Sequence, residues 1–417
     1  MTERAIATEQ CCIAIVGGGS AGLALAAEAR RLGAKNVVVL EREQSAGGVP
    51  RHCGHYPFGL REYGRLMKGP DYARRNVAAA CAVGVDLRTG ATVSRLLPGG
   101  GLEVVQDGYA YTVRAERVVL CTGVREASRA QRMISGDRPS GIVTTGALQG
   151  MVYLAGQAPF RRPIILGSEL VSYSAIQTCA HLGIRPVAMV EEEPNTLAPG
   201  QLQLYLRLRG VPLHTGVSDL AIRGKGRVEA VSFTDMTGQR LAIETDGVII
   251  SGRFLPESAL LRASHLEVDP LSGGPVTDQH GRCSDPAFFA AGNLLRPAET
   301  SGFCWREGRR AAAHVVADLA RPRDMDRHTV AIRAEDPAIG FVSPQRVVIG
   351  RESSASGPLH VGLALPLNGV LQATSAGRVL WSGAGKARPV RRVHLPLDKI
   401  LAARPEADIV VSRVEVR

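Results

Sequence analysis

Residues 12–41 read CIAIVGGGSAGLALAAEARRLGAKNVVVLE, and they decide how the chain around them folds. The apolar run Ile13 to Val16 has the length and character of a buried strand. Glycine-rich Gly17 to Gly22 follows, then a helical segment to Leu32 stopped by Gly33, then the apolar run Val37 to Leu40 ending on Glu41. In such a unit Gly17 permits the tight turn, Gly19 lets the backbone approach a pyrophosphate, and Gly22 lets the helix pack closely on the strand. Ser20 and Ala21 open the helix, so free N–H groups and the positive end of its dipole face the phosphates. Glu41 falls 19 residues after Gly22, where an acid can accept hydrogen bonds from an adenosine ribose. G-x-G-x-x-G alone is a weak signal; with strand, helix, cap and acid in register it predicts dinucleotide binding.

At 417 residues the chain exceeds what one core organises, so two or three domains are expected. Its 45% hydrophobic and 21% charged residues fit a globular, soluble class. A net charge of +11 raises the question of nucleic acid. Only five of the fifty basic residues are Lys, the Arg are scattered, and no basic run is interleaved with aromatics, so no nucleic-acid partner is expected. Part of the excess can face an anionic cofactor or partner. No apolar span reaches the roughly 18 residues of a transmembrane segment, and Ile13 to Val16 is too short for a signal sequence, so a cytoplasmic location is expected. Eight Cys lack C-x-x-C or zinc-like spacing; they read as reduced, mostly buried thiols, with no metal site expected.

The first ten residues read as a frayed tail. After Gly47-Gly48 comes an unusual loop, Pro50 to Gly59, with His52, Cys53 and His55. A helix is expected over 70–82, a short strand over 85–87, and a β-meander from Ala91 to Leu120 with turns at Pro98 to Gly101 and Asp107-Gly108. It closes on Cys121-Thr122-Gly123. An internal repeat then starts: Gly167, Gly183 and Glu191 each lie 150 residues after Gly17, Gly33 and Glu41. In this second copy Glu169 stands in the place of Gly19, and Ser172 in that of Gly22. A carboxylate there crowds and repels a pyrophosphate by about 1 to 4 kcal/mol at roughly 4 Å, roughly ten-fold to several hundred-fold in affinity. NAD(P) binding is therefore expected to be weak or absent. The second unit ends at Gly247 to Gly252, another glycine-terminated strand runs Phe288 to Asn293, and a helix runs from about Gly302 to Leu319. From about residue 340 the pattern becomes short alternating strands with almost no helix.

These elements resemble the pyridine nucleotide-disulfide oxidoreductase superfamily over roughly residues 10–325. The carriers are Gly17-x-Gly19-x-x-Gly22 with Glu41, Cys121-Thr122-Gly123 (usually Ala-Thr-Gly) and Ala291-Gly292-Asn293 (usually Ala-Gly-Asp). The resemblance implies an α/β fold of two Rossmann-like FAD/NAD(P)-binding domains with β-meander inserts, plus a small C-terminal all-β module. The FAD domain would be discontinuous, over 1–158 and 253–330, with the NAD(P)-like domain at 159–252 and the module at 340–417. It also implies that Gly17, Gly19, Ser20, Ala21, Gly22, Glu41, Arg42, Gly48, Thr122 and Gly123 bind FAD, with Val93 at the adenine, Gly292 and Asn293 at the ribityl and phosphate region, and Gly302 at the flavin's pyrimidine edge. The Gly47 to His55 loop, with Pro57-Phe58-Gly59 and Glu307-Gly308, is similar to one branch: flavoproteins of glycerol-utilisation operons and flavin subunits of hydrogen cyanide synthase and opine dehydrogenase type.

For that branch, function means oxidising a small amine, amino acid or polyol phosphate beside a second flavoprotein subunit, with any iron-sulfur centre on a separate protein. Two alternatives stand beside it. Cys53 can be the redox thiol of a single-cysteine NAD(P)H-dependent disulfide or peroxide reductase, with His52 and His55 as acid, base or thiolate partners; otherwise the loop shapes the flavin pocket. Or the chain is an FAD-stabilised scaffold without chemistry. Trp305 and Arg306, in the last helix's first turn, read as core or as a substrate wall.

Overall fold

Strand β1 (Thr8–Val16) is buried on both faces from Ile13 onward, and the alternation of its side chains divides two cores between them. In the computed structural model, which describes residues 7–320, 328–350, 357–389 and 392–414, Ile13 and Ile15 pack with Leu23 and Ala27 of helix α1 (Ser20–Arg31) and with Ala312 and Val315 of the long helix Ser301–Ala320. Ala14 and Val16 face the other way, onto Val93, Leu102, Val104 and Val113. β1 lies between β2 (Val37–Glu41) and the strand Tyr109–Leu120, in parallel register with both. Asp86–Thr89 extends the sheet beyond β2, Phe288–Ala290 joins in parallel beside Tyr109–Leu120, and Thr92–Leu97 with Gly101–Gln106 completes the meander. Thr8 to Gln10 belong to β1, so most of the described part of the expected tail is strand; residues 1–6 lie outside the described residues.

The repeat is visible atom by atom. Gly17 has φ +106° and an added Cβ would lie 2.5 Å from the Cys121 carbonyl oxygen; Gly167 has φ +112° and the same construction lies 2.4 Å from that of Ser251. Both turns need a residue without a side chain. The second sheet is parallel, in the order Leu213–Thr215, Ala188–Glu191, Pro163–Leu166, Gly247–Ile250, Ile142–Thr144. Its last strand precedes residue 159, where the second unit was expected to begin, because Ile142–Thr144 pairs with Gly247–Ile250 rather than with the first sheet. Two short strands, Val124–Glu126 and Phe254–Pro256, pair antiparallel where the chain crosses between the units.

The first described strand of the C-terminal module, His328–Ala334, lies ahead of residue 340, where the module was expected to begin. A five-stranded sheet and the three-stranded sheet Ile339–Ser343, Leu359–Leu363, Val393–Leu395 enclose a core of Val330, Leu359, Val361, Leu371 and Ile409. Among the described residues it also holds one short helix, Leu397–Ala402, whose Leu397, Ile400 and Leu401 enter that core. Among the described residues no helix is long and apolar enough to cross a membrane.

Asp318, buried on the long helix, accepts hydrogen bonds from Arg117 Nε at 2.6 Å and from Arg282, tying the helix to the sheet. Burial alone would raise its carboxyl; the hydrogen bonds from Arg282 and Arg117 outweigh it and hold it below the usual range. With the folded value lower than the unfolded one, this stabilisation is complete above about pH 4 and lost as pH falls through the folded value. Asp318→Asn is expected to lower the melting temperature at pH 7, by a loss on the order of 3 kcal/mol. The gap to the parent should begin to narrow in melting curves taken below about pH 4 and close only once the pH is under the folded value.

Candidate functional site

The turn after β1, the N-terminus of α1, the end of β2 and the meander surround one cavity of about 690 Å³. Gly17, Gly19, Ser20, Ala21, Glu41, Arg42, Gly48, His52, Val93, Thr122, Gly123 and Asn293 all line it. α1 has no side-chain cap at Gly19, so its first N–H groups remain to bind an anion. Added Cβ atoms would close the cradle: on Gly48, one would lie 2.8 Å from the Gly19 Cα. Uncapped donors, glycine backbone and a cavity within the ordinary range for cofactor sites fit a dinucleotide.

Other expected site residues stand behind this wall. A Cβ on Gly22 would meet the Gly17 carbonyl oxygen at 2.1 Å, so Gly22 is a packing glycine. Gly292, with φ +77°, donates its N–H to Glu307 Oε2 at 2.8 Å. Gly302 lies against the Glu62 carboxylate, and its neighbour Ser301 lines the cavity instead. Asn293 reaches the cavity, but its amide is engaged with Glu299, donating to the carbonyl at 3.1 Å and accepting from the N–H at 2.6 Å.

Glu41 does a task that its sequence position alone did not disclose. It accepts from Gly18 N at 2.8 Å and Glu43 N at 2.9 Å, and Glu191 makes the matching bonds from Ser168 N at 2.8 Å and Glu193 N at 3.0 Å. Each terminal acid thus braces its own turn, a role for which its placement at the same point of both repeats was the available signal. Glu41 lines the cavity as well, and a carboxylate oxygen has lone pairs for more than one donor.

Cys53 is buried, its Sγ 3.4 Å from the Val49 carbonyl oxygen and 3.5 Å from Gln149 Oε1. Burial, helped by the charge of Glu126, pushes its thiol up to about 12. His52 is held below the ordinary imidazole range, chiefly by burial, despite a hydrogen bond with the Gln149 side chain. It lines the cavity as a neutral ring at pH 7. His55 turns away, its Nδ1 3.0 Å from the Tyr56 carbonyl oxygen and its ring against Phe58. Trp305 packs edge-on to Tyr63 and beneath the Arg309 guanidinium, away from the cavity lining. Glu126, which no sequence motif marked, accepts from Gly146 N at 2.7 Å and Gly252 N at 3.1 Å, and burial raises its carboxyl against both bonds.

In the second unit Glu169 stands at the N-terminus of the helix Leu170–His181. Its Oε1 accepts from Arg253 N at 2.6 Å, and a Cβ on Gly252 would lie 2.4 Å from the same oxygen. The carboxylate is wedged between its own helix and the crossing strand.

A glycine-turn Rossmann unit with an open cradle, followed by a second such unit, defines the two-dinucleotide-fold oxidoreductases, whose cofactors are FAD and NAD(P). The chain belongs to the pyridine nucleotide-disulphide oxidoreductase family, whose model matches residues 12–317. It is similar to an opine oxidase subunit of Agrobacterium tumefaciens (strain Ach5), 27% identical over 73% of this chain and 65% of that one. It is also similar to hydrogen cyanide synthase subunit HcnB of Pseudomonas aeruginosa, 26% identical over 73% of this chain and 66% of that one. The chain thus spans a little under two thirds of the length of these relatives. Among solved structures, T. acidophilum thioredoxin reductase shares the fold, with a TM-score of 0.61 at 22% identity over 75% of this chain and 99% of that one.

Proposed function

We propose that the chain is the FAD-binding subunit of a multi-component dehydrogenase that oxidises a small amine, amino acid or polyol phosphate. Its electrons pass onward through a second flavoprotein subunit, with a separate iron-sulfur protein as a further carrier. The relatives named as subunits of an opine oxidase and of hydrogen cyanide synthase support this reading. Gly17, Gly19, Gly48 and the first N–H groups of α1 hold the pyrophosphate, Glu41 the ribose, and Val93 the adenine. Thr122, Gly123 and Asn293 flank the ribityl chain through their backbone. Ser301 and the long helix it opens present a positive dipole end to the flavin's pyrimidine edge. When bound, FAD supplies a two-electron carrier. His52, neutral and on the cavity wall, is the group here that can take up a proton from substrate.

The observation that carries the proposal is Glu169. It stands at the helix N-terminus where the first unit has Gly19, a placement that opposes a nicotinamide dinucleotide's pyrophosphate, and the lone neutral Cys53 offers no disulfide to reduce. The flavin is thereby left to a donor other than NAD(P)H. Anaerobic stopped-flow absorbance near about 450 nm, where oxidised flavin absorbs, tests it: with NADH or NADPH the flavin is expected to stay oxidised. Rapid bleaching, with a long-wavelength band lost in Cys53→Ser, would select the single-cysteine reductase instead.

A further inference from the structure

His360 and His394 are direct cross-strand partners on the antiparallel pair Leu359–Leu363 and Val393–Leu395. Their rings lie edge-on with centroids 4.7 Å apart. Facing them is Glu299, from the loop that precedes the long helix, and one ligand atom from each of the three lies within 4.8 Å of the others. We infer that Glu299, His360 and His394 bind one divalent transition-metal ion of the zinc class, at the seam between this loop and the C-terminal module.

Simple packing explains part of the cluster. Phe303 packs against both imidazoles, at 5.6 Å and 6.5 Å, and Glu299 pairs with Arg392 at 2.8 Å. It does not explain His360, only 4% exposed, whose Nδ1 has no hydrogen-bond partner among the described residues. A buried polar atom left without a partner calls for an explanation, and a bound ion is one of the recognised ones. Burial, then Arg296, His394, Arg392 and Arg310, keeps His360 neutral; burial, Arg296 and Arg392 do the same for His394. Neutral imidazole is the form that ligates metal. Two imidazoles and a carboxylate suit zinc and its neighbours better than magnesium or calcium. Tetrahedral bonds of about 2.0–2.2 Å set ligand atoms about 3.4 Å apart, so binding the ion requires the three side chains to draw together.

The surrounding charge does not forbid the ion. Arg296 is paired with Glu307 and also lies 3.9 Å from Glu299, and Arg392 is paired with Glu299, so the ion competes with both arginines for that one carboxylate. Cysteine spacing, on which the expectation of no metal site rested, could not reveal a site assembled from histidines by strand pairing.

The full chain, stripped with chelator, should take up one equivalent of Zn²⁺ in equilibrium dialysis. His394→Ala, which removes an exposed ring, and Glu299→Gln should each weaken that binding at least about ten-fold. Zn²⁺ should raise the melting temperature of the parent and not of His394→Ala. No uptake by the parent, undiminished uptake in both variants, or a thiolate charge-transfer band with Co²⁺ would each overturn the site.

Discussion

Exchange of Glu169 for Gly is expected to tighten NADH or NADPH binding about ten-fold to several hundred-fold. The side chain now accepts the Arg253 N–H at 2.6 Å and presses on the crossing at Gly252. Its removal frees that donor and opens the helix N-terminus, while Ser172 stays, its hydroxyl 2.9 Å from that of Ser251, as a small residue the helix packing tolerates. Burial raises the Glu169 carboxyl against the bond from Arg253, so part of the obstacle is bulk rather than charge. Glu169→Gln separates the two: recovery in Gln implicates charge, and recovery only in Gly implicates crowding. Titration of the flavin-loaded protein with NADPH, followed calorimetrically, gives the dissociation constants. Equal values in parent and Gly variant would refute the account of the second unit.

The first unit and the repeat were legible because local backbone demands write them into sequence. A turn that runs into a neighbouring carbonyl needs glycine at Gly17 and Gly167, and a parallel strand buried on both faces needs an apolar run. What escaped was decided by partners distant in the chain. Ile142–Thr144 reads as a strand of either unit, and its pairing with Gly247–Ile250 assigns it to the second. Asn293 was expected at the ribityl and phosphate region; it reaches the cavity there, but its side-chain amide closes on Glu299 six residues away. Cys53 lay in the expected loop, but its environment, burial beside Gln149 and the charge of Glu126, comes from residues far along the chain. The helix Leu397–Ala402 is too short to show a clear period among strands.

Arg296→Ala is expected to cost about 3 to 5 kcal/mol of stability, because it breaks a buried ion pair from one side only. Arg296 is 1% exposed; its Nη2 lies 2.5 Å from Glu307 Oε1, and its guanidinium sits over the Phe303 ring at 5.4 Å. Without it Glu307 keeps, among the described residues, only the Gly292 N–H, too little for a carboxylate taken out of water. Arg296→Met with Glu307→Met removes both charges and should be less harmful than Arg296→Ala, since no unpaired charge remains. Arg309→Ala is the contrast: its pair with Glu28 at 2.9 Å is partly exposed, and the loss should stay within about 1 kcal/mol. Glu307 also fixes the Gly292 turn that carries Asn293 to the cavity, so Arg296→Ala should release flavin at lower temperature than the parent, seen as the rise of free-flavin fluorescence on heating. A melting temperature and flavin release equal to those of Arg309→Ala would show that this buried pair does not hold the turn.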